Sequence, residues 1–390
     1  MIFNDNCLHH YTIKNQSNTI GDIKKIVATF YDLGTVKDVH RLILGETNFN
    51  YDITLEKYGK EKKCFGQLFS TAKPLKHVKH ELALREYYMK NRTTDMKCAL
   101  HYQTKDGGYT IICHCSEIQR ERHFVLFEFI EGSSPFRDEW AFGQIPAEML
   151  RGAATGLANY HVGAYGFKTP VECEGSMMTY SEELKYYKKV FTEEFERCRA
   201  NRPDYEYYQY FADYQDRLLE IMDRCTAGYE AMKNEIPVCI CQIDTSCQNY
   251  LFDDSLQPLA ICDLDWSQER LRLFDLCWFI NEGLCHYDHD NLTNFIDFDE
   301  VNLFLEAYDE AIEKAGGGKP GKLTAKEREM LPEIYQLVSI RCGFYNIWVY
   351  ILTDNPSNKN EYNTYWGNWS KTAMEFVEEH MEEFKEKLKK

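Results

Sequence analysis

No stretch of about eighteen consecutive apolar residues occurs in the 390-residue chain, so no segment is expected to span a bilayer. The first residues, Met1 to Thr19, include Asn4, Asp5, His9 and His10 and no apolar run, which argues against a secretory signal of the usual kind. No Cys-x-x-Cys pair is present among the 15 cysteines, so zinc sites of the common spacing are not expected. The cysteines are scattered and odd in number, which fits a reducing cytoplasm better than a disulfide framework. Cys113/Cys115 and Cys239/Cys241 stand two apart within apolar runs, on one face of a strand, and are expected to be buried thiols. Positive charge is also short: 45 Lys and Arg against 62 Asp and Glu leave a net charge of −17. Nucleic-acid phosphates would be repelled, whereas cationic or neutral small molecules would not; solubility alone accounts for the charge equally well.

An apolar content of 44% and a charged content of 27% belong to an ordinary globular protein. The length exceeds what one core usually supports, so two lobes are expected. Residues 1–131 have a mixed character. Ile23, Ile26, Val27 and Phe30 give Ile20 to Leu33 helical spacing. Short strand-like runs follow at Arg41–Leu44, Asn50–Leu55, Cys64–Phe69, Tyr109–His114 and His123–Ile130, with a helix over Leu75–Lys90 between the third and fourth. That order predicts an α+β lobe, an antiparallel sheet with one helix against it. Glu131 to Pro135 is turn chemistry, and residues 132–390 are mostly helical in pattern. Helices are predicted around Met149–His161, Val301–Ile312 and Val377–Leu388, and Gly316–Gly321 is a turn between helices.

One stretch breaks the helical pattern. Val238 to Cys241 is an apolar strand leading into a loop that opens with Asp244 and closes with Asn249. Tyr250–Phe252, a turn over Asp253–Pro258, and Leu259–Cys262 form a hairpin that delivers Asp263-Leu264-Asp265. If Phe252 pairs near Ala260, Asn249 lies opposite Asp263. Phosphoryl transfer needs such a trio: oxygen ligands that hold Mg²⁺ against the phosphates, and a separate carboxylate to take the proton of the attacking hydroxyl.

This stretch resembles the catalytic core of the aminoglycoside phosphotransferase and choline kinase group, relatives of the protein kinases. Their His-x-Asp-x-x-x-x-Asn loop, Asp-x-Asp and downstream Asp-Leu correspond to Gln242-Ile243-Asp244 through Asn249, Asp263-Leu264-Asp265, and Asp275-Leu276. The resemblance implies a two-lobed protein-kinase-like fold, ATP and Mg²⁺ as cofactors, Asp244 as base, Asn249 and Asp263 as metal ligands, and Asp275 bracing the catalytic loop. Asp265 would touch a second metal or orient the loop. Gly45 to Tyr51, with Asn48, resembles the turn over the ATP phosphates. Glu81 stands where the family carries a lysine-pairing glutamate. Phe127 to Gly132, with Glu128 and Ile130, resembles the hinge whose backbone meets adenine. His161 matches a frequent helix ending, although a packed helix residue is the plainer reading. The likeness runs from about Ile20 to Gly283.

Two positions depart from the family pattern. Gln242 replaces the loop histidine, and Gln67 stands where a phosphate-binding lysine is expected, with Lys62, Lys63 and Lys73 nearby. Tyr205, Tyr207, Tyr208, Tyr210 and Tyr214 lie where the family builds its acceptor pocket, and helix packing explains them nearly as well. The resemblance implies a small-molecule hydroxyl acceptor, an aminoglycoside, amino-alcohol or sugar, with neither nucleic acid nor membrane as partner. The alternative is a kinase-fold scaffold with weak or no turnover, for which Gln67 and Gln242 speak.

Overall fold

The computed structural model describes residues 3–15, 18–42, 48–134, 145–189, 192–193, 200, 212–232, 234–288, 293–316, 319–347 and 361–388. Gly45–Thr47 of the predicted phosphate turn and Tyr205–Tyr210 lie outside these residues. The chain divides into two compact units. The first comprises Met1–Asn91, Lys97–Gly132 and Phe167–Met177; the second comprises Arg92–Met96, Ser133–Gly166 and Met178–Lys390.

The first unit is built on a six-stranded sheet of β1 (His9–Ile13), β2 (Thr35–Leu42), β3 (Phe49–Lys57), β4 (Lys60–Leu68), β5 (Ile111–Cys115) and β6 (Arg120–Glu128). Its spatial order is β1-β5-β6-β4-β3-β2. Alternation drives β3: Tyr51, Ile53 and Leu55 are fully buried while their neighbours are not. Those three pack with Ile23, Ile26 and Val27 of α1 (Ile20–Phe30) on one sheet face. Cys113 and Cys115 belong to the same cluster, so the paired thiols are core residues as their spacing predicts. The opposite face is covered by α2 (Leu75–Asn91), where Val78 and Leu82 meet Phe69, Val125 and Phe127.

The sequence patterns find β3 to β6 and both helices, catch only the last two residues of β2 at Arg41–Leu42, and miss β1. Only Ile13 is buried in that strand, and β1 runs parallel to β5 at the sheet edge. A half-exposed edge strand carries almost no apolar alternation to detect.

The second unit holds α3 (Ala147–Gly163), α4 (Tyr180–Lys189), α5 (Gln215–Met232), α6 (Leu273–Phe279), α7 (Phe298–Gly316), α8 (Ala325–Ile347) and α9 (Glu361–Lys387). It also holds three two-stranded ladders. They pair β7 (Val238–Cys241) with β10 (Gln268–Leu271), β8 (Tyr250–Phe252) with β9 (Pro258–Ile261), and β11 (Cys285–Asp288) with β12 (Thr293–Ile296). β10 was hidden by its polarity. Its Arg270 is buried because Glu183 pairs with it and the guanidinium stacks 4.7 Å from the Phe274 ring centre.

Helix α3 approaches the β8–β9 hairpin through glycines. A Cβ on Gly152 would stand 2.3 Å from the Leu256 carbonyl oxygen, and one on Gly156 would stand 2.8 Å from the Tyr250 ring. Gly152→Ala is therefore expected to destabilise the protein by roughly 1–3 kcal/mol, since backbone rather than a side-chain tip must yield. Calorimetry checks this, and a Tm equal to wild type would contradict the close approach.

Candidate active site

The catalytic segment is built from the β7 strand outward. Cys239 and Cys241 anchor β7 in the core, and the chain then turns through Ile243, whose φ is +75°. A β-branched residue in this region is strained, and such strain persists only where the surroundings over-determine it. Asp275 supplies that determination. It is fully buried on α6 and accepts hydrogen bonds from the backbone N–H of Gln242 (2.6 Å) and of Ile243 (2.8 Å). The carboxylate thus grips both residues just before Asp244.

Asp275 is held in turn by α3. His161 Nε2 lies 3.0 Å from Asp275 Oδ2, and His161 Nδ1 lies 2.7 Å from the Tyr308 hydroxyl of α7. Burial raises the Tyr308 phenol well above its ordinary value and keeps it protonated. The hydroxyl therefore donates to Nδ1, which leaves the Nε2–H to donate to Asp275. Cys241 lies close enough to His161 and Asp275 for the three to share an ion. Burial pushes its thiol well up, however, and the thiol donates to the Leu271 carbonyl, so this cluster is read as structural.

Beyond the loop, Asn249 Nδ2 donates to the backbone carbonyl of Asp244 at 2.6 Å, closing a tight ring over the predicted base. The hairpin register differs from the expected one by a single residue. Tyr250 pairs with Ile261 and Leu251 with Ala260, so Asn249 stands opposite Cys262, whose N–H donates to the Asn249 carbonyl at 2.8 Å. Phe252 meets Pro258 rather than Ala260 at the turn, two residues from the expected register, and a bulge between Leu251 and Phe252 recovers one of them; alternation in so short a strand reveals neither. Asp263 follows directly with φ of +52°, a left-handed conformation that aspartate tolerates, at the turn out of β9.

Gln242, which stands where a histidine was expected, binds through its side chain. Its side-chain amide donates to the carbonyls of Cys262 (2.8 Å) and Asp263 (3.3 Å), tying the loop to the end of β9. Asp244, Asn249 and Asp263 are therefore gathered by backbone and amide contacts into one stretch of the second unit. Asp263 Oδ1 is buried and has no hydrogen-bond partner among the described residues. A desolvated carboxylate oxygen without a partner is costly, and a hard divalent cation satisfies it. The Asp263 carboxylate and the Asn249 amide oxygen are hard oxygen donors of the kind Mg²⁺ takes. Asp265 lies beyond Asp263 and is also buried.

The first unit carries the other predicted residues. Asn48 sits at the start of β3, where its Oδ1 accepts the Ser70 N–H at 3.0 Å and lies 3.5 Å from Lys73 Nζ. Gln67 is buried on β4 between Asn50 and Val125, and its Oε1 has no partner among the described residues. Of the neighbouring lysines, Lys62 and Lys63 lie toward the start of β4, over the Tyr102 and Phe129 rings. Lys73 alone of these three is beside Asn48. Glu81 is buried on α2 and pairs with Arg85 at 2.7 Å, one turn further along the same helix. Glu128 spends its N–H on the Leu100 carbonyl at 2.8 Å, so the backbone free of the ladder begins past it, through Phe129 and Ile130. Lys73 is one of the three lysines the sequence offered in place of Gln67, whereas the Arg85 partnership of Glu81 was not assigned; helical i,i+4 spacing was the available signal for it.

No protein-family model matches the chain, and no curated protein matches it in sequence. Solved structures do match in fold. A microcompartment-associated aminopropanol kinase is 15% identical, with a TM-score of 0.64, over 94% of this chain and 98% of that one. An amicoumacin kinase, solved with AMP-PNP and Ca²⁺, is 10% identical, with a TM-score of 0.64, over 92% and 94%. A choline kinase from Cryptosporidium parvum is 13% identical, with a TM-score of 0.56, over 93% and 96%. The chain therefore has the α+β, protein-kinase-like fold seen in these small-molecule kinases.

Proposed function

We propose that this protein is an ATP- and Mg²⁺-dependent phosphotransferase acting on the hydroxyl of a small molecule. The observation that supports it most is the catalytic loop: Asp275 fixes the strained backbone before Asp244, and Asn249 closes over the Asp244 carbonyl. Nothing in a purely structural loop calls for that outlay of strain and buried charge.

In this reading Asp244 accepts the proton of the acceptor hydroxyl as its oxygen bonds to the γ-phosphorus. The bond from that phosphorus to the bridging oxygen breaks, and ADP carries the electron pair away. Asn249 and Asp263 would hold Mg²⁺, which neutralises phosphate charge when bound. Asn48, beside Lys73, serves the phosphate end of the nucleotide, and the hinge backbone near Glu128 and Ile130 serves the adenine. Gln67 supplies no charge, so the lysine nearest Asn48 gains weight. Glu81 acts through Arg85.

Amino-alcohols are the first acceptors to try. A net charge of −17 favours cations, and the fold is shared with proteins described as aminopropanol and choline kinases. A scaffold with little turnover is the competing reading, favoured by the uncharged Gln67, whose oxygen has no partner among the described residues.

A thermal-shift titration with ATP, with and without Mg²⁺, separates them. Saturating ligand at about a hundred times Kd adds roughly 2.7 kcal/mol, a rise of several degrees. A Mg²⁺-dependent rise that Asp263→Ala removes is expected. No rise at millimolar ATP would favour the scaffold.

A further inference from the structure

The first unit contains a cavity of about 380 Å³ on the α2 side of the sheet, lined by neither Gln67 nor Glu81. Its floor is Ile112 of β5 and His123 of β6, which are directly paired across the ladder. Its roof is the start of α2, through Pro74 and Leu75. Lys73 and Arg120 line it as cations; Glu121 is exposed at its mouth, where water screens the charge.

Two independent features suit an oxyanion. At the start of α2, a 17-residue helix, the Pro74 carbonyl takes the N–H groups of His77 (2.9 Å) and Val78 (3.3 Å), while the Pro74 side chain can cap nothing, so the N–H groups of Leu75 and Lys76 are the ones that face an oxyanion. Separately, His123 is only 5% exposed, and its Nδ1 has no hydrogen-bond partner among the described residues. Burial pushes the imidazole down to about 4, so at neutral pH it offers an N–H donor without a competing desolvated charge. An orphaned polar atom in a polar, roomy cavity calls for an occupant.

We propose that this cavity binds a phosphate-class oxyanion, free phosphate or a phosphate monoester, held by the α2 N-terminus, His123 and Arg120. Such an occupant would bridge α2 to β6 and set the position of the helix that carries Glu81. It is a regulatory site, separate from the catalytic loop.

The test is calorimetric titration of the full chain, without nucleotide or Mg²⁺, using inorganic phosphate and, in a second arm, phenyl phosphate. Saturable binding is expected, weakened at least tenfold by Arg120→Glu, kept by Arg120→Lys, and unmoved by Asn249→Ala. Arg120 is exposed, so its variants are expected to fold. Tighter binding of phenyl phosphate assigns the site to monoesters using the apolar wall of Leu75 and Ile112; equal or weaker binding assigns it to the free ion. Binding that survives Arg120→Glu unchanged, that vanishes with Asn249→Ala, or that fails for both probes overturns the proposal.

Discussion

Asp244→Asn is expected to lower turnover on the order of 10²- to 10⁴-fold while leaving the melting temperature close to wild type. The asparagine keeps the size of the side chain and the backbone carbonyl that Asn249 Nδ2 grips, so the loop is retained. What it loses is the lone pair that receives the hydroxyl proton. Affinity for ATP should therefore stay within about threefold, since the γ-phosphate is held by other groups. A variant that loses turnover and ATP binding together would mean that Asp244 positions the nucleotide and that the base is elsewhere.

The second large effect belongs to Asp275. Its carboxylate is completely buried and serves three donors at once: two backbone amides before Asp244, and His161. Asp275→Ala leaves all three unsatisfied in a region without water access. Each orphan costs about 1–3 kcal/mol, and breaking a buried charged pair costs about 3–5 kcal/mol. A fall in Tm on the order of 10 °C is expected, with turnover lost as the Ile243 backbone relaxes from its positive φ. His161→Gln keeps a donor and should cost much less. A Tm for Asp275→Ala within about 2 °C of wild type would contradict the bracing role.

Much of this architecture can be read from the residues because the elements that carry the site are short and strongly patterned. β7 is an unbroken apolar run that ends in a polar loop, and β8 is found at its expected bounds, Tyr250–Phe252. The second hairpin strand, expected over Leu259–Cys262, is Pro258–Ile261. The one-residue slip in pairing arises at the turn, where Phe252 meets Pro258, and a bulge recovers part of it; both are local events that leave no mark on hydrophobic periodicity.

What escaped notice did so for electrostatic reasons. β10 reads Gln-Glu-Arg-Leu and has no apolar signature, yet it lies in the interior because Glu183, Tyr180 and Phe274 accept its arginine. The same holds for Arg272 and Glu327, fully buried as a pair held by two N–H···O bonds of 2.7 and 2.8 Å. Charge in a sequence argues for the surface until its partner is known, and partners 55 residues apart are invisible to spacing. His161 sits between these cases. Helix packing was the plainer expectation, and it is buried, but it also reaches Asp275 and so connects α3 to the catalytic loop.

Phosphoryl transfer to a small-molecule hydroxyl can be observed directly. The most direct measurement is ³¹P NMR of the protein with ATP, Mg²⁺ and each of ethanolamine, choline and aminopropanol, with Asp244→Asn run beside wild type. The expected result is a phosphomonoester resonance that grows with ADP for at least one acceptor, only in wild type and only with Mg²⁺. Wild type binding ATP and Mg²⁺ while forming no phosphoester with any amino-alcohol, aminoglycoside or sugar would contradict it.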